Sequence, residues 1–362
     1  MMKSTDKKIF FTKSLLLWNK KVNKRSMPWK GEKDPYKIWL SEIILQQTRV
    51  EQGTDYYYRF LKTFPTIRKL AEAREERVFK LWEGLGYYSR CKNLIKTARF
   101  IVEERKEIFP DSYDEILALK GVGPYTAAAI ASFAFKLPHA VVDGNVFRIL
   151  SRFFGIEETI DSTSGKKKFI NIAGELLDHK EPGVYNQAIM DFGATVCKPQ
   201  LPLCITCPLK IECVANAKGL IEKLPVKSTS PAKKKRWFYY FIIQHNNKIF
   251  VRKRGAGDIW ENLYEFVLLE SPGAITINEI EKKPLFKKIS GRNNVIKTTV
   301  SELYRQQLSH QSIQGIFIYI KVKKAPLLEN FEQKPVNKLI KLPFPGLITK
   351  YLAETTSGGF ER

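Results

Sequence analysis

Glu42 is a carboxylate at a position where the sequence predicts apolar surroundings. Asp34, followed by a proline, is typical of the N-cap of a helix, and that helix runs through Glu42. Ile38, Trp39 and Leu45 lie three or four positions away and share its face of the helix. Burial there would raise the pKa of the carboxyl group, which could then hold a proton near neutral pH and act as a general acid. The alternative is a surface glutamate on a helix whose buried face lies elsewhere.

Asp143 is a second carboxylate, and its surroundings predict the opposite protonation state. It follows Val141-Val142 and precedes Gly144-Asn145 at the start of another predicted helix. Because a helix N-terminus favours negative charge, we expect Asp143 to stay ionised. Two carboxyl groups in opposed environments predict an acid that protonates a leaving group and an anion that stabilises positive charge. Asp143 can also serve only as the N-cap of its helix.

A glycine turn, Gly121-Val122-Gly123, separates two predicted helices upstream of Asp143. The first helix begins with a capping-box pattern, Ser112 and a glutamate three residues later, and the second begins with a proline. The backbone N–H groups of such a turn, together with the N-terminus of the second helix, can bind a DNA phosphate without interference from side chains. The contact would be independent of base sequence. The alternative is a tight connection with no ligand.

Four cysteines, Cys197, Cys204, Cys207 and Cys213, lie within 17 residues and can converge on one metal ion or cluster. No uninterrupted apolar stretch approaches the roughly 18 residues that span a bilayer, so we expect a cytoplasmic protein whose cysteines do not form disulfides. Zinc remains an alternative, although a four-cysteine zinc site more often has two C-x-x-C pairs than the single central pair present here. The fifth cysteine, Cys91, is expected to be a small buried residue.

Residues 1–218 are predicted to form a helical domain, because apolar residues recur there at spacings of three and four between helix stop signals. This domain would position both carboxylates and the four clustered cysteines. Residues 219–236 contain prolines, serines and a run of lysines that predict an exposed basic linker. Residues 237–353 change to short aromatic and β-branched runs, which predict a smaller α+β domain. Its predicted strands include Trp237–Ile243, Ile249–Arg252 and Ile316–Val322, with a hairpin turn at Asn246 and Asn247.

The composition points to a globular protein with a polyanionic partner. The chain of 362 residues has 61 Lys plus Arg against 37 Asp plus Glu, a formal net charge of +24. This surplus favours nucleic acid over an anionic lipid surface or a basic protein without such a partner. With 44% hydrophobic and 12% aromatic residues the chain can form sizeable cores, which excludes disorder of the whole chain.

Residues 119–127, with Asp143 downstream, resemble the helix-hairpin-helix DNA glycosylases of the endonuclease III superfamily. In that family the aspartate is catalytic, and the resemblance implies that Gly121 and Gly123 contact the DNA backbone. Relatives that cut the strand have a Schiff-base lysine just after the glycine turn, whereas this chain has Tyr125, which cannot form an imine. We therefore expect a monofunctional enzyme that excises a base without efficient strand cleavage.

Further segments resemble the adenine DNA glycosylases of the MutY type, namely residues 28–29, 35–48, 84–90 and 186–193. The resemblance covers roughly residues 25 to 215, and it implies that adenine opposite 8-oxoguanine or guanine is extruded from double-stranded DNA and removed by hydrolysis. In the implied mechanism Glu42 protonates N7 of adenine, and Asp143 stabilises the oxocarbenium-like sugar directly or as a transient adduct. Tyr125 assists, and water completes the reaction with help from the ionised Glu42.

The resemblance also implies lesion contacts and a cofactor. The residues that would fill the gap or touch the oxoguanine are Gln47, Thr48, Leu85 and Tyr87. The alternative for each is packing in the core or at a helix end. The cysteine spacing is similar to the iron–sulfur loop of this superfamily, which implies one four-iron four-sulfur cluster held by all four thiolates. The cluster would be structural and DNA-orienting, and no nucleotide cofactor is expected.

Residues 258–266 resemble the strand before the catalytic box of Nudix hydrolases, but the box is missing between residues 270 and 300. The carboxylates that would hold magnesium are therefore absent, and we expect a Nudix-like domain that recognises the lesion without hydrolysis. MutY-type enzymes contact the oxoguanine through a Phe-Ser-His loop, where this chain has Leu308-Ser309-His310. Ser309 and His310 keep the hydrogen-bonding groups, and Leu308 departs from the pattern. A Ser-His pair in a loop can also be merely solvent-exposed.

The expected architecture is multi-domain, an all-α helix-hairpin-helix glycosylase domain with an iron–sulfur loop followed by an α+β Nudix-like domain. We expect a monomeric, bacterial-type cytoplasmic enzyme that binds DNA and no membrane. Two alternatives remain open: a related glycosylase that acts on thymine or another mismatched base, and a non-catalytic lesion-binding protein. The second domain argues against the first alternative, and the presence of both carboxylates argues against the second.

Overall fold

The computed structural model of the chain describes residues 4–228, 232–291 and 293–356. The chain divides into two compact units: unit 1 comprises Met1–Glu72 and Asn93–Thr229, and unit 2 comprises Ala73–Lys92 and Ser230–Arg362. A short internal segment is thereby grouped with the C-terminal part of the chain. Among the described residues, no helix combines the length and the apolar character needed to cross a bilayer.

The chain before the first strand is helical, as its apolar spacing predicts. Its helices are α1 (Ser4–Lys21), α2 (Pro35–Leu45), α3 (Val50–Thr63), α4 (Ile67–Ala71), α5 (Glu75–Trp82), α6 (Tyr88–Glu104), α7 (Tyr113–Ala118), α8 (Pro124–Phe135), α9 (Gly144–Phe154), α10 (Thr163–Leu176), α11 (Pro182–Thr195) and α12 (Val214–Ala217). The predicted N-caps of α2 and α7 are present, because Asp34 and Ser112 each accept a hydrogen bond from an N–H group of the first turn.

The core of unit 1 is built around α8 and α9. Residues Thr126–Ser132 of α8 are all buried and mostly small, so that α2, α7 and α11 pack closely against this helix. α8 begins after the glycine turn that follows α7, and α9 begins after a connection of eight residues, 136–143. From α9, Ile149 and Phe153 pack with Phe11 of α1 and Phe169 of α10 in one apolar cluster. This packing holds the N-termini of α8 and α9 in fixed positions.

Unit 2 contains an eight-stranded mixed sheet within its described residues. Its strands are β1 (Lys234–His245), β2 (Lys248–Lys253), β3 (Tyr264–Glu265), β4 (Val267–Ser271), β5 (Val295–Val300), β6 (Tyr304–Gln307), β7 (Gln311–Val322) and β8 (Glu332–Pro335). Its helices after the first strand are α13 (Ile277–Lys282), α14 (Pro284–Ser290), α15 (Val336–Leu339) and α16 (Gly346–Thr356). The central strand β1 runs parallel to β7 and antiparallel to β2 and β4, while β5 and β6 pair with β7.

The sequence predicts the position of β1 but not its full length. The turn to β2 is at Asn246 and Asn247, whose φ values of 46° and 59° suit the predicted two-residue hairpin. β1 begins at Lys234, inside the predicted linker 219–236, because the strand already pairs with β7 there, Lys234 opposite Gln311. The added residues are charged, and Lys234 and Lys235 are exposed, which explains why their sequence resembles a linker, whereas Arg236 is buried.

Residues 73–92 are held in unit 2 by contacts that are distant in sequence. The Glu83 carboxylate accepts hydrogen bonds from the Phe344 N–H and from the Thr349 hydroxyl, both at 3.0 Å. The sequence predicts this segment as part of the helical domain 1–218, since its own pattern is helical. Only the side-chain contacts formed after folding reveal that it packs with the C-terminal residues.

Candidate active site

Glu42 is buried, with 6% of its surface exposed, on α2, where all residues from 38 to 44 are buried. Its pKa is raised to about 7, chiefly by loss of contact with water and in part by the charge of Asp143. A hydrogen bond with the Tyr125 hydroxyl opposes this rise. A carboxyl group with this pKa is protonated in a large fraction of molecules at neutral pH, and it can donate a proton and later accept one.

Tyr125 lies in the first turn of α8 and brings its hydroxyl group to Glu42. The phenol oxygen also lies 3.3 Å from Met190 Sδ on α11. Burial and the charges of Glu42 and Asp143 raise the pKa of Tyr125 well above its usual value, so the hydroxyl keeps its proton. The three residues predicted to be catalytic are thus brought together in unit 1.

Asp143 is the N-cap of α9, and both of its carboxylate oxygens accept hydrogen bonds. Oδ1 accepts from the N–H groups of Asn145 (2.9 Å) and Val146 (2.8 Å), and Oδ2 accepts from Asn145 Nδ2 at 2.7 Å. Burial nevertheless raises the pKa of Asp143, although these hydrogen bonds and the nearby Arg148 oppose the rise. The helix N-terminus predicts an ionised Asp143, and the opposing effect of burial depends on packing that the sequence does not show.

Arg148 connects the cap of α9 to the cysteine loop. Its Nη2 donates to Asn145 Oδ1 and to the Gly193 carbonyl, both at 2.8 Å, and its Nε donates to the Cys197 carbonyl at 2.8 Å. A Cβ atom at Gly193 would lie 2.5 Å from Asn145 Cβ, so only glycine permits this approach of α11 to α9. Asn145, whose side chain donates to Asp143, is therefore held through Arg148 by the backbone at Cys197.

A pocket of about 240 Å³ lies beside Glu42 in unit 1. Its lining includes Trp29, Lys30, Ser41, Phe133 and Gln187. This volume is below the range of about 300–1,000 Å³ found for drug-sized ligands, and the aromatic walls with a few polar groups suit a small planar molecule. The arrangement places a carboxyl group with a raised pKa at the edge of a cavity that can hold one ring system.

Asp191 is a buried carboxylate to which the sequence analysis assigned no role. It has no exposed surface and accepts hydrogen bonds from Asn23 Nδ2 (2.8 Å), Arg25 Nη1 (2.9 Å), Lys30 Nζ (2.8 Å) and Gln187 Nε2 (3.0 Å). Because an ionised carboxylate can only accept, this contact places the NH2 end of the Gln187 amide next to Asp191, four residues later on the same helix. The sequence feature that could have indicated this residue is an aspartate within an apolar stretch of helix.

The glycine turn before α8 has the geometry that its sequence predicts. Gly121 has a φ of 82°, and a Cβ atom there would lie 2.7 Å from Asn93 Cβ. Gly123 is the N-cap of α8, and there is open space around the position of a Cβ atom. No side chain caps the helix at this residue, so the first N–H groups of α8 are left for an external acceptor.

The predicted lesion contacts preceding residue 100 lie on turns in both units. In unit 1, exposed Gln47 has a φ of 55° and Thr48 follows it directly after α2. In unit 2, Tyr87 precedes α6 with a φ of 47°. Positive φ costs free energy in residues other than glycine, and such strain is concentrated at functional sites. Leu85 is 94% buried, which agrees with the packing alternative for this residue.

The turn between β6 and β7 carries Leu308, Ser309 and His310. Ser309 and His310 are exposed, and the Ser309 hydroxyl lies 2.7 Å from the Tyr87 hydroxyl within unit 2. The structure therefore brings together two of the residues that were predicted separately as lesion contacts. The half-buried Leu308 is tied back through its N–H group to the carbonyl of Gln311 at 2.8 Å.

The four clustered cysteines line one small pocket and form no disulfides. Burial raises the pKa of Cys204, Cys207 and Cys213, and for each of them the charge of Cys197 raises it further. In the described part of the chain, His, Cys, Asp and Glu side chains do not form a ready-made site for a single metal ion. Four thiols that face one pocket, with Arg152 Nη1 3.6 Å from the first sulfur, do fit an anionic iron–sulfur cluster by the chemistry of their donor atoms.

Comparison with known proteins gives matches along most of the chain. Residues 40–174 match the model of the HhH-GPD superfamily of base excision DNA repair proteins. The adenine DNA glycosylase of Buchnera aphidicola subsp. Baizongia pistaciae (strain Bp) is 34% identical over 326 residues, which cover 89% of each chain. That of Buchnera aphidicola subsp. Acyrthosiphon pisum (strain APS) is 36% identical over 276 residues, 76% of this chain and 79% of the relative. The Homo sapiens adenine DNA glycosylase is 42% identical over 223 residues, 59% of this chain and 41% of the relative.

Solved structures match part of the chain. A thermostable thymine-DNA glycosylase is 27% identical with a TM-score of 0.56, and the match covers 59% of this chain and 99% of that structure. A non-covalent complex of endonuclease III with DNA matches with a TM-score of 0.52 at 19% identity, over 60% of this chain and 99% of that one. The second likeness shows a shared helical fold.

Proposed function

The chain belongs to the adenine DNA glycosylase family of base excision repair proteins, and from this membership we propose that it hydrolyses adenine from duplex DNA at mispairs with 8-oxoguanine or guanine. The observation that carries the proposal is the buried carboxyl group of Glu42, whose pKa of about 7 suits a general acid beside a pocket for one planar base. The target adenine would leave the duplex and enter this pocket, since its reacting atoms are inaccessible within the base stack.

In the proposed first step Glu42 donates its proton to N7 of adenine. Protonation makes the base a better leaving group, so the N-glycosidic bond breaks and its electron pair stays with the base. Tyr125 supports this step because its hydrogen bond orients the carboxyl group. The hydrogen bond also stabilises the glutamate anion that remains after the proton has gone.

In the proposed second step Asp143 stabilises the positive charge on the sugar. Its carboxylate is fixed by the three hydrogen bonds of the α9 cap, so it needs no reorganisation as the charge develops. Ionised Glu42 then takes a proton from the attacking water, which gives the abasic sugar. Tyr125 stands at the position where a lysine would form an imine and cannot form one itself, so the strand is expected to stay intact.

Gln187 and Asp191 support the choice of adenine over a base with a 6-keto group. Asp191 accepts a hydrogen bond from the amide nitrogen of Gln187, and in the proposed complex the carbonyl oxygen of the same amide faces the base. Adenine carries an amino group that can donate to this oxygen. Guanine and hypoxanthine carry a carbonyl oxygen at the same ring position, which would face Oε1 without a proton between them.

The remaining contacts with DNA, the lesion and the cluster are proposed from the positions of the motif residues in the structure. The N–H groups at Gly123 and the start of α8 would bind a DNA phosphate, and the strained turn at Gln47 would fill the space that the adenine leaves. The Tyr87 and Ser309 pair would contact the oxoguanine in a Nudix-like recognition domain. The four thiolates would hold a four-iron four-sulfur cluster that stabilises the end of unit 1, and such a cluster supplies structure rather than the acid or base of the reaction.

A panel of mispairs tests the substrate. Single-turnover excision is measured on duplexes with adenine opposite 8-oxoguanine, adenine opposite guanine, and thymine opposite guanine, with paired adenine opposite thymine as the control. We expect release of adenine from the first two duplexes and little from the others. The structural likeness to a thymine-DNA glycosylase makes thymine the base to exclude, and release of thymine without adenine would overturn the proposal.

A further inference from the structure

One half of the unit 2 sheet is strongly basic, and the proposed reaction does not use this charge. Between Lys282 and Leu328 the chain has ten Lys or Arg residues and a single acidic residue, Glu302. The exposed lysines in the described part of this stretch are Lys282, Lys283, Lys287, Lys288, Lys297, Lys323 and Lys324. This stretch has a net formal charge of +9, more than a third of the +24 of the chain, in 47 of its 362 residues.

The fold brings lysines from separate segments to one end of β7. Asn294 joins these segments, because its N–H donates to the Ser290 carbonyl at the end of α14, and its carbonyl accepts from the Lys323 N–H at 2.9 Å. Its side chain also exchanges two hydrogen bonds with the backbone of Lys324, at 2.8 and 3.0 Å. The last turn of α14, which carries Lys287 and Lys288, is thereby held beside the end of β7. We call Lys287, Lys288, Lys323 and Lys324 the β7-end lysines.

Structural reasons explain only part of this cluster. Lys287 and Lys288 complement the dipole at the end of α14, and Lys297 on edge strand β5 discourages pairing with another sheet. These roles do not account for Lys323 and Lys324, whose backbone groups bind Asn294 while their side chains are exposed. A surface that served only solubility would mix charges of both signs, whereas lysines gathered at one end of a strand suit a polyanion.

The β7-end lysines lie at the opposite end of the strand from Ser309. β7 starts at Gln311, directly after the Ser309 turn, and ends at Val322. At about 3.3 Å per residue the two ends are about 36 Å apart. A duplex rises about 3.4 Å per base pair, so this separation corresponds to about 10 base pairs.

We propose that the β7-end lysines bind the phosphate backbone of duplex DNA that flanks the lesion, about 10 base pairs from it. The contact is independent of base sequence, and it keeps the enzyme bound to undamaged DNA while the Ser309 turn contacts the bases. The distance to the lesion rests on the proposed function of Ser309. The phosphate contact itself does not, because any duplex long enough to reach the cluster supplies the ligand.

The salt dependence of binding tests the proposal with the full chain and an undamaged duplex of about 40 base pairs. The variant K287Q/K288Q/K323Q/K324Q removes the four charges from exposed positions, and K13Q/K62Q/K69Q/K167Q removes four from scattered exposed positions in unit 1 as the matched control. Each lost phosphate contact lowers the slope of log affinity against log salt by about 0.9. We expect the first variant to lose about 2–4 from the slope and the control to lose less than 1.

The length of the flanks locates the contact. On a duplex with adenine opposite 8-oxoguanine, the first variant should bind several-fold more weakly than the native protein when the flanks are about 20 base pairs. With flanks of about 5 base pairs the two should bind equally, and single-turnover excision should be unchanged on both. Equal slopes for the variant and the native protein would overturn the proposal, as would an equal loss with short and long flanks.

Two further arms separate the alternatives. If the variant keeps its DNA slope but loses binding to phosphatidylserine vesicles, the cluster binds a lipid surface and the proposal is wrong. The variant S309A tests the lesion contact separately, because it should leave the slope on undamaged DNA unchanged. A loss of slope in the lysine variant, combined with no effect of S309A on lesion preference, would retain the phosphate contact and reject the proposed function of Ser309.

Discussion

The hydroxyl groups of Tyr87 and Ser309 lie 2.7 Å apart in unit 2, although 222 positions separate these residues in the chain. Tyr87 sits on a strained turn with a φ of 47°, and Ser309 sits at the tip of the β6–β7 turn. One hydroxyl donates a hydrogen bond to the other, and both remain exposed. A base that reaches this pair meets two hydroxyl groups that are already oriented.

The substitution S309A is expected to weaken the preference for 8-oxoguanine over guanine opposite the adenine. A neutral hydrogen bond contributes about 0.5–1.5 kcal/mol, which corresponds to a loss of roughly 2- to 12-fold in the ratio of the two affinities. The measurement is equilibrium binding of the E42Q background to both mispairs, so that no turnover occurs. The control is S164A, at an exposed serine in unit 1 whose hydroxyl lies 3.4 Å from the Ser162 hydroxyl. An unchanged ratio in S309A would remove this residue from lesion recognition.

The rate of adenine excision is expected to fall as the pH rises above about 7. The pKa of Glu42 is raised to about 7, and the reaction needs its protonated form. Above that pKa the protonated fraction falls about tenfold per pH unit, and the single-turnover rate should fall with it. The rate is measured from about pH 5 to 9 under single-turnover conditions. A rate that stays constant across pH 7 to 9 would contradict the role of Glu42 as the acid.

The substitution Y125F is expected to move this fall in rate to higher pH. Burial raises the pKa of Glu42, and the hydrogen bond from Tyr125 lowers it. Without this hydrogen bond the pKa rises further, so the carboxyl group keeps its proton to a higher pH. Hydrogen bonds to charged groups contribute about 1.5–3 kcal/mol, equivalent to a shift of roughly one to two pH units. The pH profile of the variant is compared with that of Y113F, a tyrosine away from the carboxyl pair. A shift to lower pH would show that the hydrogen bond from Tyr125 raises the pKa of Glu42 and would contradict the prediction.

The substitution D191N is expected to destabilise unit 1 and to slow excision. The buried carboxylate forms ion pairs with Arg25 and Lys30, and its loss leaves these partners without a counter-charge. Because both partners are partly exposed, we expect a loss of about 1–3 kcal/mol in the free energy of unfolding, less than for a fully buried pair. Urea denaturation measures this loss, with the exposed residue Asp55 changed to Asn as the control. Equal stability of both variants would show that the cluster around Asp191 contributes little.

The local parts of this structure follow from the sequence, and the long-range parts do not. The helix through Glu42 is predictable because an N-cap and the apolar spacing act over a few residues, although α2 proves to be buried all round from residue 38 to 44. Asp143 is recognisable as an N-cap for the same reason. Its desolvation is not predictable, because it depends on how the first turns of α8 and α9 pack against other helices.

The contacts of Asp191 and of residues 73–92 show the same limit. Asp191 collects donors that lie up to 168 positions away in the chain, and no short pattern marks them as partners. Residues 73–92 read as ordinary helix and turn, yet Glu83 binds residues more than 250 positions later. The strand β1 is longer than predicted because its exposed first residues have the composition of a linker.

Release of adenine by the E42Q variant is the most direct test of the proposed chemistry. The substitution keeps the size of the side chain but leaves an amide that cannot donate a carboxylic proton. On a duplex with adenine opposite 8-oxoguanine, free adenine is measured by mass spectrometry together with the binding affinity. We predict that E42Q binds the duplex as tightly as the native protein and releases adenine at least about 1,000-fold more slowly, within the range of general acid catalysis. Native-like release of adenine by E42Q would contradict the assignment of Glu42 as the acid.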